Sequence, residues 1–235
     1  NVGCPSSRVC SGNFGASLMN YPSKVAKCIE ALKNNCNLPV TIKHRIGVDN
    51  NDSFSNLSNF VRQISKAGAQ RFTIHARKAF LKGLNPKENR NIPPLRYDIV
   101  KKLKDENPSL IIEINGGFTD INQCIDGLKI FDGVMIGRSA YKYPLRWSEI
   151  DNKIYGDKFL PLKASDIIFS LIPYIDNHMQ KKNRSWDICK HLINIVESIP
   201  NAKKWRNKIS FLSINENLSI KKLLTLTNEL KSMGY

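Results

Sequence analysis

The sequence is poor in acidic residues and has no long apolar segment. Asp and Glu number 20 against 36 Lys and Arg in 235 residues, which gives a formal net charge of +16. Such an excess of cations favours a polyanionic partner, with nucleic acid ahead of an anionic membrane surface. The longest apolar runs, such as 110–112, are far shorter than the roughly 18 residues that a membrane-spanning helix needs. We therefore expect a soluble protein that does not act in a membrane.

The six cysteines lack the spacing of a metal site or a disulfide framework. None of them forms a C-x-x-C pair or has a histidine at metal-ligand distance along the chain. We therefore expect no metal and a reducing compartment, with the cytoplasm as the default. The chain begins at Asn1 without a methionine or a leader-like segment. We expect a fragment or a processed chain, so an organellar targeting signal could have been lost with the missing part.

Strand and helix patterns alternate over the first two thirds of the chain. A helix leading to about residue 34 places Val25, Ile29 and Leu32 on one face. Beyond it, strands are predicted at 39–46, 71–76, 110–114 and 133–136, and helices at 52–67, 97–107 and 121–129. This alternation at short spacing predicts a parallel β/α fold.

The strand signals stop after residue 155. Apolar residues then repeat at helical spacing over 165–181, 186–198, 202–211 and 218–232. Four helices with short connections predict a small bundle. We place the domain boundary near residues 156–162, which gives domains 1–156 and 157–235.

A basic segment follows the second predicted strand. His75 and Arg77 crowd the end of that strand, and the loop beyond it carries Lys87 and Arg90 among glycine and prolines. A strand that ends in cations favours an anionic ligand. The alternative is a solvated basic loop without a ligand.

Glycine-containing corners follow the last two predicted strands. They read Asn115-Gly116-Gly117 and Gly137-Arg138. Backbone N–H groups of glycines at the carboxyl ends of neighbouring strands are typical of the phosphate site of a β/α barrel. Either corner alone would more often be only a turn.

Two further positions carry a possible chemical role. Cys4 lies in a Gly-Cys-Pro corner at the end of a strand-like stub, although a lone cysteine is more often a small buried apolar group. Helical spacing places Lys203 beside Arg206, where they could contact a phosphate backbone. The alternative there is an exposed helix face with Trp205 anchored in the core.

Three strings resemble one enzyme family: H-A-R-K-A, G-L-N-P-K-E-N-R and I-P-P-L, all between residues 75 and 95. They are similar to the tRNA-dihydrouridine synthases, and most closely to the subfamily that acts on D-loop uridines 20 and 20a. The resemblance extends from N-V-G-C-P-S at the start through the helical region. It implies the C-terminal part of a TIM (β/α)8 barrel followed by an all-α helical domain.

The resemblance also implies site residues. Cys4 would be the active-site acid, and the FMN site would use Lys43, His75, Asn115, Gly116, Gly117, Gly137 and Arg138. The tRNA contacts would be Asn1, Lys87, Arg90, Lys203 and Arg206. We add Arg77 from its place at the strand end, where it could hold the polar edge of uracil with Asn1. Lys203 and Asn201 depart from the arginine and glycine usual in the family, and a lysine loses bidentate geometry.

The implied reaction is the FMN-dependent reduction of the C5–C6 bond of uridine, with NADPH as electron donor. No side chain can supply a hydride, so the flavin would deliver it to C6 while Cys4 protonates C5. Lys43 would stabilise the anionic reduced flavin. The expected partner is tRNA, whose target base must leave its stack with neighbouring bases to reach the flavin. The protein is expected to be a monomer.

Two alternatives and one restriction accompany this interpretation. Another FMN barrel oxidoreductase, such as a dihydroorotate dehydrogenase or an ene-reductase, would share the glycine corners. A non-catalytic RNA-binding module derived from such an enzyme would share the charge. Since a closed barrel needs eight strands and only four plus a stub are recognisable, we expect this chain by itself to bind FMN weakly or not at all.

Overall fold

The computed structural model describes residues 1–158, 160–197 and 199–235. The chain divides into two compact units, Asn1–Phe118 with Asn122–Gly137, and Thr119–Ile121 with Arg138–Tyr235. The functional boundary expected near residue 156 stays a prediction. Ser198, the predicted end of one helix, and residue 159 of the predicted linker lie outside the described residues.

The first unit is built on a four-stranded parallel sheet. Its strands lie in the order β1, β2, β3, β4, with bounds Thr41–Arg45, Arg71–His75, Ile111–Asn115 and Gly133–Met135. The register pairs Arg45 with His75, His75 with Asn115, and Asn115 with Met135. The carboxyl ends of all four strands therefore meet at one edge. The predicted parallel α/β fold is confirmed.

Two helices precede the first strand, and three others connect the strands. They are α1 (Ser7–Cys10), α2 (Pro22–Asn35), α3 (Phe54–Lys66), α4 (Tyr97–Glu106) and α5 (Ile121–Leu128), with 3₁₀ turns at Gly15–Asn20 and Glu88–Arg90. Before residue 35, a single helix was predicted, whereas the structure has a 3₁₀ turn at Gly15–Asn20 followed by α2. The first residue of α2 is Pro22. Proline is favourable at this position because the N–H that it lacks would have no partner within the helix. Leu32, expected on the buried face, is 52% exposed.

The two faces of the sheet have opposite character, as strand periodicity requires. One face presents Ile42, Phe72 and Ile112, which belong to the buried core together with Phe60 and Leu103 of the helices. The other face presents polar side chains: Lys43, Arg45, Thr73, His75, Glu113 and Asn115. Burial of the apolar face stabilises the sheet and leaves the polar face for chemistry.

The second unit is helical over its described residues apart from loops. It contains α6 (Arg138–Lys142), α7 (Ala164–Gln180), α8 (Trp186–Ile195), α9 (Ala202–Ile214) and α10 (Ile220–Ser232), with a 3₁₀ turn at Pro144–Trp147 and a π turn at Asp151–Tyr155. Its core includes Ile168, Leu192 and Leu223, and Trp205, whose indole N–H donates to the carbonyl of Leu226 at 2.7 Å. In the part of the chain that the structure describes, no helix is both long and apolar enough to cross a membrane.

Candidate active site

Cys4 lies in a segment that runs beside the first strand. The amide of Val2 donates to the carbonyl of Lys43 at 2.9 Å. A Cβ on Gly3 would stand 3.2 Å from the backbone of His44, so the approach is close enough to favour glycine. The Cys4 thiol lies within electrostatic reach of Lys43. The structure thus brings Cys4 to the polar face of the sheet.

Lys43 is half-buried in positively charged surroundings. Burial lowers the pKa of its ammonium group, the Arg45 guanidinium lowers that pKa further, and Cys4 acts in the opposite sense. A desolvated cation next to another cation gains from an anionic ligand. This is the environment that an anion-binding lysine needs.

Arg45 is a site residue that the sequence reasoning missed. It lies two residues after Lys43 on the same face of β1 and is 2% exposed. Burial, followed by the charge of Arg90, lowers its pKa to about 10, while Cys4 opposes and Arg77 adds to this effect. Arg45 therefore stays protonated at neutral pH. Its position at a strand end, in register with His75, was the signal that could have identified it.

The basic loop is held by its own polar side chains. The Asn85 carboxamide oxygen accepts from the amides of Lys87 (2.9 Å) and Glu88 (3.0 Å), and the Glu88 carboxylate accepts from the amide of Asn85 (2.7 Å). This is the reciprocal arrangement of a capping box. The fully buried Asn89 side chain exchanges hydrogen bonds with the backbone of Phe80 at 2.7 and 2.9 Å. The loop is therefore an ordered element.

This order decides where the cations of the loop lie. Lys87 is exposed, whereas Arg90 is half-buried and within electrostatic reach of Arg45. Arg77 is half-buried too, and its guanidinium donates to the carbonyls of Asn91 and Pro93. Arg77 thus ties the strand end to the loop, and the contact with uracil that we predicted for it stays a prediction.

The first glycine corner lies directly against His75. Gly116 has φ +111°, a conformation that side chains rarely adopt, and a Cβ there would come 2.6 Å from Cδ2 of His75. The Asn115 carboxamide donates to the carbonyl of Met135 at 2.7 Å. The structure thus brings His75, Asn115 and Gly116 together at the carboxyl ends of β2 and β3.

Gly117 completes this corner with two residues that were not predicted. Its φ is +83°, and a Cβ there would come 2.7 Å from Tyr97 Oη and from Cδ1 of Leu95. The Tyr97 hydroxyl donates to the carbonyl of Gly116. Burial raises the pKa of this phenol, against the charge of Arg77. The short contacts make both glycines necessary for the turn.

The second glycine corner follows β4, and the remaining predicted tRNA contacts include Asn1 at the amino terminus and two residues of α9. A Cβ on Gly137 would have nothing within 4 Å, and Arg138 is the first residue of α6, in the second unit. Asn1 is exposed, and its side chain accepts from the amide of Gly3 at 3.2 Å. On α9, Lys203 is exposed and Arg206 forms an ion pair with Glu197.

The residues present fit a phosphate-bearing cofactor. Gly116 and Gly117 have positive φ at the carboxyl end of β3, and the same edge of the sheet carries Lys43 and Arg45 on β1, two strands away. Within the described ranges, no three His, Cys, Asp or Glu side chains are grouped to hold a metal ion. A parallel sheet with this edge defines the class of α/β proteins that bind phosphate groups at the carboxyl ends of their strands.

Comparison with known proteins assigns the chain within that class. The sequence model for dihydrouridine synthase matches residues 1–230, so the chain belongs to the dihydrouridine synthase family. A tRNA-dihydrouridine(20/20a) synthase of Synechocystis is 48% identical over 210 residues, which are 89% of this chain and 63% of that protein. Proteins of the same name from Shewanella oneidensis (44%, covering 89% and 63%) and Pseudomonas putida (43%, covering 89% and 62%) are also similar. The chain thus spans somewhat less than two thirds of the length of these relatives.

Proposed function

We propose that the protein is a tRNA-dihydrouridine synthase that reduces the C5–C6 bond of D-loop uridine 20 or 20a, with FMN as cofactor and NADPH as electron donor. The observation that carries this proposal is the place of Cys4, next to Lys43 at the cationic edge of a parallel sheet. We assign residues 1–156 to an FMN-binding catalytic domain that is part of a (β/α)8 barrel, and residues 157–235 to a helical tRNA-binding domain. A cytoplasmic monomer stays the prediction from the sequence.

The flavin site would be formed at the carboxyl ends of the strands. We assign it to Lys43, His75, Asn115, Gly116, Gly117, Gly137 and Arg138. The glycine turn against His75 and the desolvated Lys43 support this assignment. FMN, when bound, supplies the hydride that no side chain can provide.

Cys4 acts as the proton donor in this proposal. Its thiol gives a proton to C5 of uracil as hydride reaches C6, so that two hydrogens add across the double bond and the thiolate remains. Lys43 and Arg45 lie within electrostatic reach of that sulfur and stabilise its negative charge. A proton from solvent would restore the thiol, and NADPH would supply the two electrons that bound FMN needs for the next hydride.

The tRNA would be bound by cations of both units. We assign these contacts to Asn1, Arg77, Lys87, Arg90, Lys203 and Arg206. The exposed Lys87 on an ordered loop, and a formal net charge of +16, support a polyanionic substrate. The pairing of Arg206 with Glu197 means that this arginine must exchange a carboxylate for a phosphate when RNA binds.

An assay of the enzyme with FMN, NADPH and an unmodified tRNA transcript tests the proposal. Mass spectrometry of nuclease fragments would detect dihydrouridine at positions 20 and 20a. Cys4→Ala removes the proton donor, so we expect the rate of dihydrouridine formation to fall by at least about 100-fold. The control is Cys28→Ala, which removes an exposed thiol of α2 and should leave the rate unchanged.

Other results would contradict the proposal in distinct ways. A Cys4→Ala enzyme as fast as the parent would remove the role of the thiol. Binding of tRNA without reduction by a parent enzyme that has bound FMN would favour an RNA-binding module. Turnover of dihydroorotate or an enone in place of tRNA would favour another flavin oxidoreductase.

A further inference from the structure

Arg45 joins the segment that carries Cys4 to the basic loop. Its Nε donates to the carbonyl of Gly3 at 3.1 Å, and its Nη1 donates to the carbonyls of Lys78 at 3.0 Å and Asn89 at 2.8 Å. These three acceptors belong to segments that are 33 to 44 residues distant from Arg45 along the chain. Arg45 is 2% exposed, and its guanidinium donates to all three carbonyl groups at once.

The contact with Gly3 bears directly on the direction of the Cys4 side chain. The peptide group before the Cys4 Cα is held by Arg45 through the Gly3 carbonyl. The peptide group after it is held by Ala16, whose amide donates to the Cys4 carbonyl at 2.8 Å. With both flanking peptide planes fixed, the backbone angles of Cys4 and the direction of its Cα–Cβ bond are fixed as well.

The contact with Asn89 bears on the loop. The Asn89 side chain also donates to the carbonyl of Leu84 at 3.0 Å, so its position determines the path of the loop. Lys87 and Arg90 lie on either side of Asn89 in the sequence, and Arg90 lies near Arg45. A shift of Asn89 would therefore move the cations that we assign to tRNA.

We propose that Arg45 is a positioning residue that sets the direction of the Cys4 thiol and, through the same guanidinium, the place of the Lys87–Arg90 segment. The coupling of proton donor and loop rests on the proposed function, whereas the placement of Cys4 does not. A planar guanidinium presents its donors in a fixed fork, while a lysine ammonium is a point donor on a flexible stem. The role therefore depends on the shape of the group and not on its charge alone.

The thiol placement is tested without any assay of activity. In the folded protein, the alkylation rates of Cys4 and Cys28 by iodoacetamide are measured together by peptide mass spectrometry, so that the exposed Cys28 is an internal reference. We expect Arg45→Met and Arg45→Lys each to change the ratio of the two rates by at least about threefold, because access to the thiol changes. Arg71→Met is the matched control, since Arg71 lies at the other end of the neighbouring strand, half exposed at 52% beside Glu113.

The outcomes separate position from charge. A ratio that Arg45→Lys restores to the parent value would overturn the proposal, because charge alone would then explain the effect. A parent-like ratio in both variants would overturn it too. If Arg45→Met does not fold, as circular dichroism would show, the Arg45→Lys ratio decides by itself.

Kinetics with tRNA test the coupling. We expect Arg45→Lys to lower kcat about 100-fold, since small misplacement of a reacting group has effects of that size, and also to raise KM for tRNA. Lys87→Met should raise KM while leaving kcat near the parent value. An effect of Arg45→Lys on KM alone would overturn the link to Cys4. A parent enzyme that has bound FMN and tRNA but forms no dihydrouridine would refute the proposed function and leave the alkylation result standing.

Discussion

His44 should make the first unit sensitive to acid. Its side chain is completely buried against Phe60 and Phe72, with ring centroids 5.2 and 6.0 Å apart, and its Nδ1 lies 2.7 Å from the carbonyl of Arg45. Burial lowers the pKa of this imidazole from 6.5 to about 4, against the hydrogen bond to Arg45 and with the charge of Lys43. At neutral pH the ring is thus uncharged, Nδ1–H donates to that carbonyl, and Nε2 has no hydrogen-bond partner among the residues that the structure describes.

The lowered pKa means that the unfolded chain binds the proton more tightly than the folded one. The stability due to neutral His44 is complete above about pH 6.5, falls as the pH drops, and is lost below about pH 4. The shift corresponds to about 3 kcal/mol in total, of which about 2 kcal/mol is lost between about pH 7.5 and pH 5. Carboxylates also contribute to acid unfolding, but they contribute equally in a variant that lacks only His44.

Urea unfolding at about pH 7.5 and at about pH 5 measures how much stability the protein loses on acidification. His44→Phe keeps an aromatic ring and cannot be protonated, so it should lose about 2 kcal/mol less than the parent on acidification. At about pH 7.5 it should be about 1 kcal/mol less stable than the parent, because the hydrogen bond to the Arg45 carbonyl disappears, and at about pH 5 it should be about 1 kcal/mol more stable. Ile64→Val is the control, since it weakens the same core without removing a titratable group or either ring that packs on His44, and it should keep the pH dependence of the parent. Equal acid sensitivity of His44→Phe and the parent would refute the assignment to His44.

Two further predictions concern the site. Gly116→Ala should destabilise the protein by about 1 to 3 kcal/mol in urea unfolding, because φ is +111° and the new Cβ meets His75. Gly83→Ala is the control, since Gly83 also has positive φ but lies in open space, and it should destabilise the protein less. Equal destabilisation by the two changes would contradict the role of the contact with His75. Lys87→Met should weaken tRNA binding and reduce the slope of log affinity against log salt by about 0.7 to 1, and an equal effect of Lys82→Met in the same loop would show that the charge acts diffusely.

The order of strands and helices could be predicted because it depends on local periodicity. The alternation of Ile42, Lys43, His44 and Arg45 shows both faces of β1 in four residues. The buried stripe of α3 was visible for the same reason, with Leu57, Phe60, Val61 and Ile64 at helical spacing. Leu32 was predicted wrongly because its spacing fits the buried stripe of α2, and helical spacing alone does not show how wide that stripe is.

The contacts that organise the site could not be predicted, because they join distant parts of the chain through the backbone. Arg45 binds three carbonyl groups, and carbonyl groups carry no sequence signal. The role of Asn89 was hidden in a string whose charged members drew attention to a ligand. In the structure, the polar members of that string build the loop, and the cations are what the loop presents.

Asn201 illustrates how a departure from a family pattern can be understood physically. It stands where the family resemblance predicts glycine, before α9 with φ +62° and ψ +1°, in the left-handed region. Glycine adopts that region freely, and asparagine is among the few other residues that tolerate it. The substitution therefore preserves the turn that directs α9, and with it the exposed side chain of Lys203.

The crowding of positive charge at the strand ends links the stability of the site to its ligands. Arg45 is destabilised in its charged form by burial, by Arg90 and by Arg77, and Lys43 by burial and by Arg45. Repulsion among these cations lowers the free energy of unfolding. An anion that binds among them raises it again, by an amount that grows with the affinity of the anion. Since the same guanidinium of Arg45 also fixes the segment of Cys4, an anionic ligand that favours the charged, ordered state of Arg45 also favours the ordered thiol. The proposed ligand binding and the placement of the Cys4 thiol would thus both depend on one buried arginine.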